Sequence, residues 1–415
     1  MRATTSFLLA HRSVQAAQAS PLLQLHLLRA APSVGVGNLR GLHSRALSTA
    51  SAATTKNWAV RYWEHGEAQE VLKVVQVPAL DVSALGSTAV HVRMLAAPIN
   101  PADINMAEGV YGIKPPLPAT AGNEGVGVVQ SCGALVNTFK PGDWVIPADA
   151  ASGTWQSEVI LDEAALLPVP SDIPVEQAAT LTVNPATAYR MLRDFVDLKS
   201  GDVIIQNGAN SAVGVAVIQM ARLLGVRTVN VVRSDRPDTD KELRLLTNLG
   251  GDINIPDTML GTHELQTILQ DLPTPKLGLN CVGGDCAVNL VRSLGPGGVM
   301  VTYGGMSKRP VNIPIDLLAY RNITLRGFWV SQWYKTAPRS SRLEMMADIT
   351  DMIRSKQLTA FTVMHDIDDF SWALKQSLAP FQRRKVVLNL NPPDRLGEHD
   401  ALPGAAYEVF ETDYK

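Results

Sequence analysis

The chain has 415 residues, 46% of them hydrophobic and 18% charged, with a formal charge of -2. That length allows two to three domains of about 150 residues, and a composition near the globular average excludes wholesale disorder, collagen and coiled coil. The charge balance leaves no basic footprint for nucleic acid. No run of about 18 apolar residues marks a membrane span, and Cys132, Cys281 and Cys286 are too few for a disulfide framework, which points to a reducing compartment.

The N-terminus is a separate object. The first acidic residue is Glu64, and before it stand Arg2, Arg12, Arg29, Arg40 and Arg45 among Ser, Ala and Leu. Arginine-bearing, serine-rich and acid-free is the composition of a mitochondrial transit peptide. Gln24, His26 and Arg29 break the apolar core that a secretory signal would need. Residues 1–55 are therefore read as a leader into the mitochondrial matrix. Its removal takes five arginines and no acid, leaving a formal charge of -7.

Short β-like runs follow at 89–96, 125–130 and 144–147, around a loop from Pro98 to Gly122 punctuated by Gly and Pro. The pattern then changes. A buried-type strand at 202–206 runs into Asn207-Gly208-Ala209-Asn210-Ser211-Ala212-Val213-Gly214. Val213, Val217, Met220, Ala221 and Leu224 share one helical face, and Gly225 stops that helix. Strands at 228–232, 277–281, 299–302 and 323–325 alternate with helical stretches such as 241–249, which implies a parallel sheet with right-handed crossovers. A helix at 344–356 and a strand at 385–390 return to the first, mostly β region, and 396–415 read as a loose tail. The fold class is α/β, an irregular mostly-β domain plus a doubly wound cofactor domain. The divisions are 56–184 with 331–392, then 185–330, then a tail at 393–415.

A strand–turn–helix of small residues lets backbone N–H groups approach a pyrophosphate at a helix N-terminus. Here Ala209 and Ser211 stand where a strict glycine fingerprint has glycines. About 19 residues beyond Gly214, where an acid would hold the ribose of NAD, lies Arg233-Ser234-Asp235-Arg236. An arginine accommodates the 2′-phosphate of NADP, so NADPH is the expected cofactor, with Asp235 the one nearby feature against it. No metal site is expected. Cys281 and Cys286 are four apart with no partner pair and read as structural thiols.

The order β domain, dinucleotide domain, C-terminal return resembles the medium-chain dehydrogenase/reductase superfamily. Where its zinc enzymes carry Gly-His-Glu, this chain has Gly122-Asn123-Glu124, so it resembles a zinc-free branch. The strings Asn100-Pro-Ala-Asp-Ile-Asn-Met106, Leu181-Thr-Val-Asn-Pro-Ala-Thr-Ala-Tyr-Arg190, Val301-Thr-Tyr-Gly-Gly-Met306 and Gly327-Phe-Trp-Val-Ser-Gln-Trp333 resemble the mitochondrial trans-2-enoyl-thioester reductases over about residues 57–390. The resemblance implies a GroES-like catalytic domain, a Rossmann-type NADPH domain and a homodimer. It implies as substrate an enoyl thioester of acyl carrier protein or CoA, in mitochondrial fatty acid synthesis.

The resemblance makes Tyr111 the proton donor; read alone, a tyrosine between Gly109 and Gly112 is a loop packing residue. It carries cofactor contacts to Asn184, to Asn210, Ser211, Ala212 and Val213, to Tyr303, Gly304, Gly305 and Met306, to Phe328, Trp329 and Val330, and to Lys385. The family's Arg-Asp-Arg string fits Arg233, Asp235 and Arg236 only with one residue inserted, which leaves open which arginine meets the phosphate. Trp329 and Trp333 are candidates to wall the acyl tunnel. The rival readings are a zinc-free NADPH quinone oxidoreductase, which has no need of Tyr111, and a non-catalytic protein binding NADPH or an acyl carrier.

Overall fold

A computed structural model describes residues 57–391, so the expected leader and the tail lie outside the described residues. The parallel sheet forms as the alternation predicts. Its six strands lie in the order Ile253–Pro256, Arg227–Val232, Val203–Asn207, Leu277–Asn280, Val299–Thr302, Thr324–Gly327, and every pairing is parallel. Val203–Asn207 is buried along its whole length, as a strand covered by helices on both faces must be. The order reverses beside this strand, and the crevice outside its carboxyl end is the switch point where open α/β sheets bind ligands.

The helix Ala212–Leu223 rises from that end. Ser211 is its N-cap, its Oγ accepting from the Gly214 N–H at 3.1 Å, which satisfies one of the orphan donors of the first turn. A Cβ on Gly214 would lie 2.5 Å from the Ala209 carbonyl oxygen, so only glycine lets helix and strand pack this closely. One position of the glycine fingerprint is therefore kept for a packing reason even though two others are not.

A second sheet of seven strands runs Thr362–Asp366, Lys385–Asn389, Ala89–Pro98, Val126–Cys132, Trp144–Pro147, Leu166–Val169, with Glu158–Asp162 also paired to Ala89–Pro98. The chain's return is explicit in its register, Val387 against Pro98 and Asn389 against Ala96. A three-stranded sheet, Lys73–Gln76, Trp58–Tyr62, Ala119–Thr120, packs alongside. One apolar core spans the two larger sheets. Tyr189, Met191 and Leu192 of the helix Asn184–Asp194 share it with Val217, Met220 and Ala221 and with Met345, Met346 and Ile349 of Arg339–Arg354.

Element edges shift for local reasons. The helix expected from residue 344 begins at Arg339, directly after Pro338, because a proline's missing N–H costs nothing at a helix start. The sequence pattern does not mark the strand Thr362–Asp366, which is half-buried from Thr362 to His365, exposed at Asp366, and lacks clear alternation. No helix among the described residues is long and apolar enough to cross a membrane.

Candidate active site

The expected cofactor residues gather at one edge. Asn210 to Val213 follow Val203–Asn207, Arg233 to Arg236 follow Arg227–Val232, Tyr303 to Met306 follow Val299–Thr302, and Phe328 to Val330 follow Thr324–Gly327. All four segments leave the carboxyl ends of parallel strands, the side on which such sheets bind. The Tyr303 phenol is buried beside Cys281 and Ser211, and burial holds its pKa well above the ordinary value. Nothing lies within 4 Å of a Cβ added at Gly305, so this turn faces open space. Met306 is exposed, and Phe328 packs edge-on against Phe195 with ring centroids 5.8 Å apart.

Tyr111 comes to the same edge from the other domain. The helix Pro101–Ala107 ends in a turn in which the Val110 and Tyr111 N–H groups both donate to the Asn105 carbonyl, at 2.9 and 3.0 Å. The Trp329 indole N–H donates to the Tyr111 phenol oxygen at 2.7 Å, across 218 residues of chain. The rings meet edge to face, with centroids 5.6 Å apart and planes at 88°. A Cβ on Gly112 would lie 3.1 Å from the Trp329 ring, so the glycine after Tyr111 leaves room for the indole. Beside this pair is a cleft of about 380 Å³ lined by Tyr111, Asn123, Thr182, Val183, Val330 and Tyr334, among others.

Beneath the cleft lies a buried polar network in which the sequence assigns a role only to Asn184 and Lys385. Asn100 Nδ2 donates to Glu124 Oε1 at 2.7 Å, and Glu124 Oε2 accepts from Thr182 Oγ1 at 3.1 Å and from the Val183 N–H at 2.9 Å. Asn100 Oδ1 accepts from Lys385 Nζ at 2.9 Å and from Asn184 Nδ2 at 3.4 Å. Asp103 accepts from the Asn100 N–H at 2.7 Å and from Asn123 Nδ2 at 2.6 Å, while Asn123 Oδ1 accepts from the Ala151 N–H. Burial pushes Glu124 up to about 7, against the hydrogen bonds from Asn100 and Thr182 and the charge of Lys385. Asp103 is likewise pushed up to about 6 by burial. Desolvation pulls Lys385 down, and the two carboxylates oppose it. The one sequence signal was an acid, Glu124, opening the apolar run Gly125-Val-Gly-Val-Val129.

The two arginines are placed differently. Arg236 is 6% exposed, its guanidinium on Asp238 at 2.6 Å and on Glu242 at 3.4 Å, with a further hydrogen bond to the Phe381 carbonyl. Arg383 pairs with the same two acids, and Asn210 Nδ2 donates to Glu242 at 3.0 Å. The Arg233 side chain is 53% exposed, stacked over the Phe381 ring at 4.9 Å and near Asp235 at 3.7 Å. Only Arg233 of the pair has its charge turned outward.

Among the described residues no group of three or more His, Cys, Asp or Glu side chains is placed to hold a metal ion. At Gly122-Asn123-Glu124 both side chains are taken up by the polar network.

Residues 86–171 match the family model described as alcohol dehydrogenase GroES-like domain, and 212–347 match that of zinc-binding dehydrogenase. The mouse protein named mitochondrial enoyl-acyl-carrier-protein reductase is 48% identical over 349 residues, 84% of this chain and 93% of the relative. Among solved structures, the mitochondrial 2-enoyl thioester reductase Etr1p/Etr2p heterodimer from Candida tropicalis superposes with a TM-score of 0.74 at 33% identity, over 80% of this chain and 99% of that one. The Etr1p/NADP/crotonyl-CoA complex gives 0.75 at 31% identity with the same coverage.

Proposed function

The chain belongs to the mitochondrial enoyl-acyl-carrier-protein reductases, and on that premise we propose how its own residues serve the reaction. It is an NADPH-dependent oxidoreductase that reduces the C2=C3 bond of trans-2-enoyl thioesters. It is mitochondrial, and we assign it to the matrix, with residues 1–55 as its leader. The cofactor segment is 185–330, the catalytic segments are 56–184 and 331–392, and 393–415 is a tail.

The crevice suits NADPH chemically. The capped helix start faces the switch point with the Ala212 and Val213 N–H groups open to a pyrophosphate, while the Ser211 N–H is held by the Gly208 carbonyl. Tyr303 to Met306 and Phe328 to Val330 flank the open turn at Gly305, Asn184 and Lys385 hold amide and ammonium donors together through Asn100, and Arg233 meets the 2′-phosphate. When bound, NADPH supplies the hydride that reduces C3.

The chain itself must deliver a proton to C2. The Tyr111–Trp329 pair is the observation that carries this reading. An indole N–H already occupies an acceptor position on the phenol oxygen, so the phenol's own proton points elsewhere. The same N–H stabilises the oxygen as it gains charge on losing that proton. Replacing Tyr111 by Phe keeps the ring and removes the acidic hydrogen. Single-turnover oxidation of NADPH with saturating crotonyl-CoA is expected to slow by about 10²–10⁴-fold, the range of a positioned general acid, with KM little changed. A rate within about threefold of wild type, below that range, would leave Tyr111 as a lining residue.

We also assign a homodimer joined at the edge of the Rossmann sheet. The edge strand Thr324–Gly327 is exposed at every residue, with Leu325 and nearby Tyr320 bare, and such an edge calls for cover. Sedimentation of the leaderless chain at twice its own mass is the expected result.

A further inference from the structure

The Asn100 side chain is an amide caught between two sets of partners of opposite kind. On one side is Glu124, which in its ionised form takes only donors. On the other are Lys385 Nζ and Asn184 Nδ2, which only donate. Asn100 is 2% exposed and Glu124 fully buried, so water cannot repair a mismatch. The amide has one low-energy orientation, Nδ2 toward Glu124 and Oδ1 toward Lys385. The reverse would set an oxygen against a carboxylate and an NH₂ group against an ammonium.

Glu124 reaches further through its second oxygen. Oε2 holds Thr182 and the Val183 N–H, the segment leading directly into Asn184. Its backbone carbonyl accepts from Thr154 Oγ1 at 2.7 Å, which fixes the carboxylate's own position. One buried acid thus sets both ends of the Asn184–Lys385 pair, directly on one side and through the amide on the other.

Resting on the cofactor assignment above, we propose that Glu124 is a positioning residue for NADPH: by fixing the polarity of the Asn100 amide it aims Lys385 and Asn184 at the cofactor, without touching it.

Glu124→Gln breaks this polarity with almost no change in shape. If the new amide keeps its oxygen toward Thr182 and Val183, its NH₂ opposes Asn100 Nδ2, and Asn100 must turn its own NH₂ onto Lys385. If it reverses, its NH₂ opposes the Val183 N–H. Either way a buried donor faces a donor. Adding Asn100→Asp moves the carboxylate one step along the chain of contacts. The amide at 124 then donates to it, and its other oxygen receives Lys385 and Asn184. Net charge and hydrogen bonding are restored.

The test reads NADPH affinity by cofactor fluorescence, alongside circular dichroism and crotonyl-CoA turnover, on leaderless wild type, Glu124→Gln and the double variant. The single variant is expected to weaken NADPH binding by about 10–100-fold, and the double variant to return within about threefold. Unchanged affinity in Glu124→Gln overturns the proposal, as does a folded double variant no better than the single one. If the single variant fails to fold, recovery of both fold and affinity in the double variant supports the relay, and failure of both variants to fold reduces the network to scaffold. Loss of the functional reading would show separately, as a wild type that binds no NADPH or leaves crotonyl-CoA unreduced.

Discussion

The two ends of the crevice handle charge in opposite ways. Beneath the cleft, Asp103 and Glu124 are buried and satisfied almost entirely by amides, a hydroxyl and backbone N–H groups, with Lys385 the one cation that counters them. At the far end, Asp238 and Glu242 are met by the full charges of Arg236 and Arg383, and Arg233 stands over Phe381 with its guanidinium half in solvent. Amide networks fix direction, because each group can face only one way. Paired ions fix position and neutralise, with less demand on angle. The first suits a site that must orient a reacting ring, the second a site that must anchor a phosphate.

The contrast breaks most visibly at Arg236. Arg236→Ala removes the best-buried cation from two acids, and only Arg383 remains to answer them. Truncating one partner of a buried pair typically costs about 3–5 kcal/mol. Urea unfolding should show a loss near the lower end, with NADPH and NADH affinities falling together. A selective loss of NADPH would instead put Arg236 on the 2′-phosphate.

The amide-held end has its own signature, in pH. Glu124 and Asp103 titrate near 7 and 6 when folded, against about 4.3 and 3.9 in an unfolded chain. Raised folded values mean that the native state binds the extra protons. The stability they confer is complete below about pH 4 and is lost as pH rises through 7. Glu158, Asp202 and Asp238 are shifted down by their partners, so they finish titrating at lower pH and add little slope above pH 5. Unfolding free energy is expected to fall by about 4 kcal/mol between pH 5 and 8. Glu124→Gln should visibly flatten that slope, and an equal slope in wild type and variant would contradict the titration of Glu124.

The smallest effect is expected at Arg233. A charged hydrogen bond to phosphate, discounted for exposure, contributes about 1–2 kcal/mol. Arg233→Ala should therefore weaken NADPH by roughly tenfold, leave NADH almost unchanged and leave the unfolding curve where it was. Titration calorimetry with 2′,5′-ADP and 5′-ADP isolates that difference from the nicotinamide end.

Much of this molecule is legible in its residue order. Alternating strands and helices announce the parallel sheet, because each element's periodicity is local. The acid-free, arginine-bearing stretch before Glu64 points to a mitochondrial address. Strings such as Asn100 to Met106 and Gly327 to Trp333 carry family membership, since chemistry needs particular side chains in particular turns. What the order of residues leaves open is which distant groups meet, and therefore which charges are spent. Arg233 and Arg236 are three residues apart and equivalent on paper, yet one is clamped by Asp238 and Glu242 and the other stacks in the open on Phe381, more than 140 residues away. Asn100, Glu124, Asn184 and Lys385 are scattered over 285 residues, and only the antiparallel return of Lys385–Asn389 onto Ala89–Pro98 brings them into one network. Periodicity is a property of neighbours, but the protonation state, direction and availability of a polar group depend on what folding buries beside it.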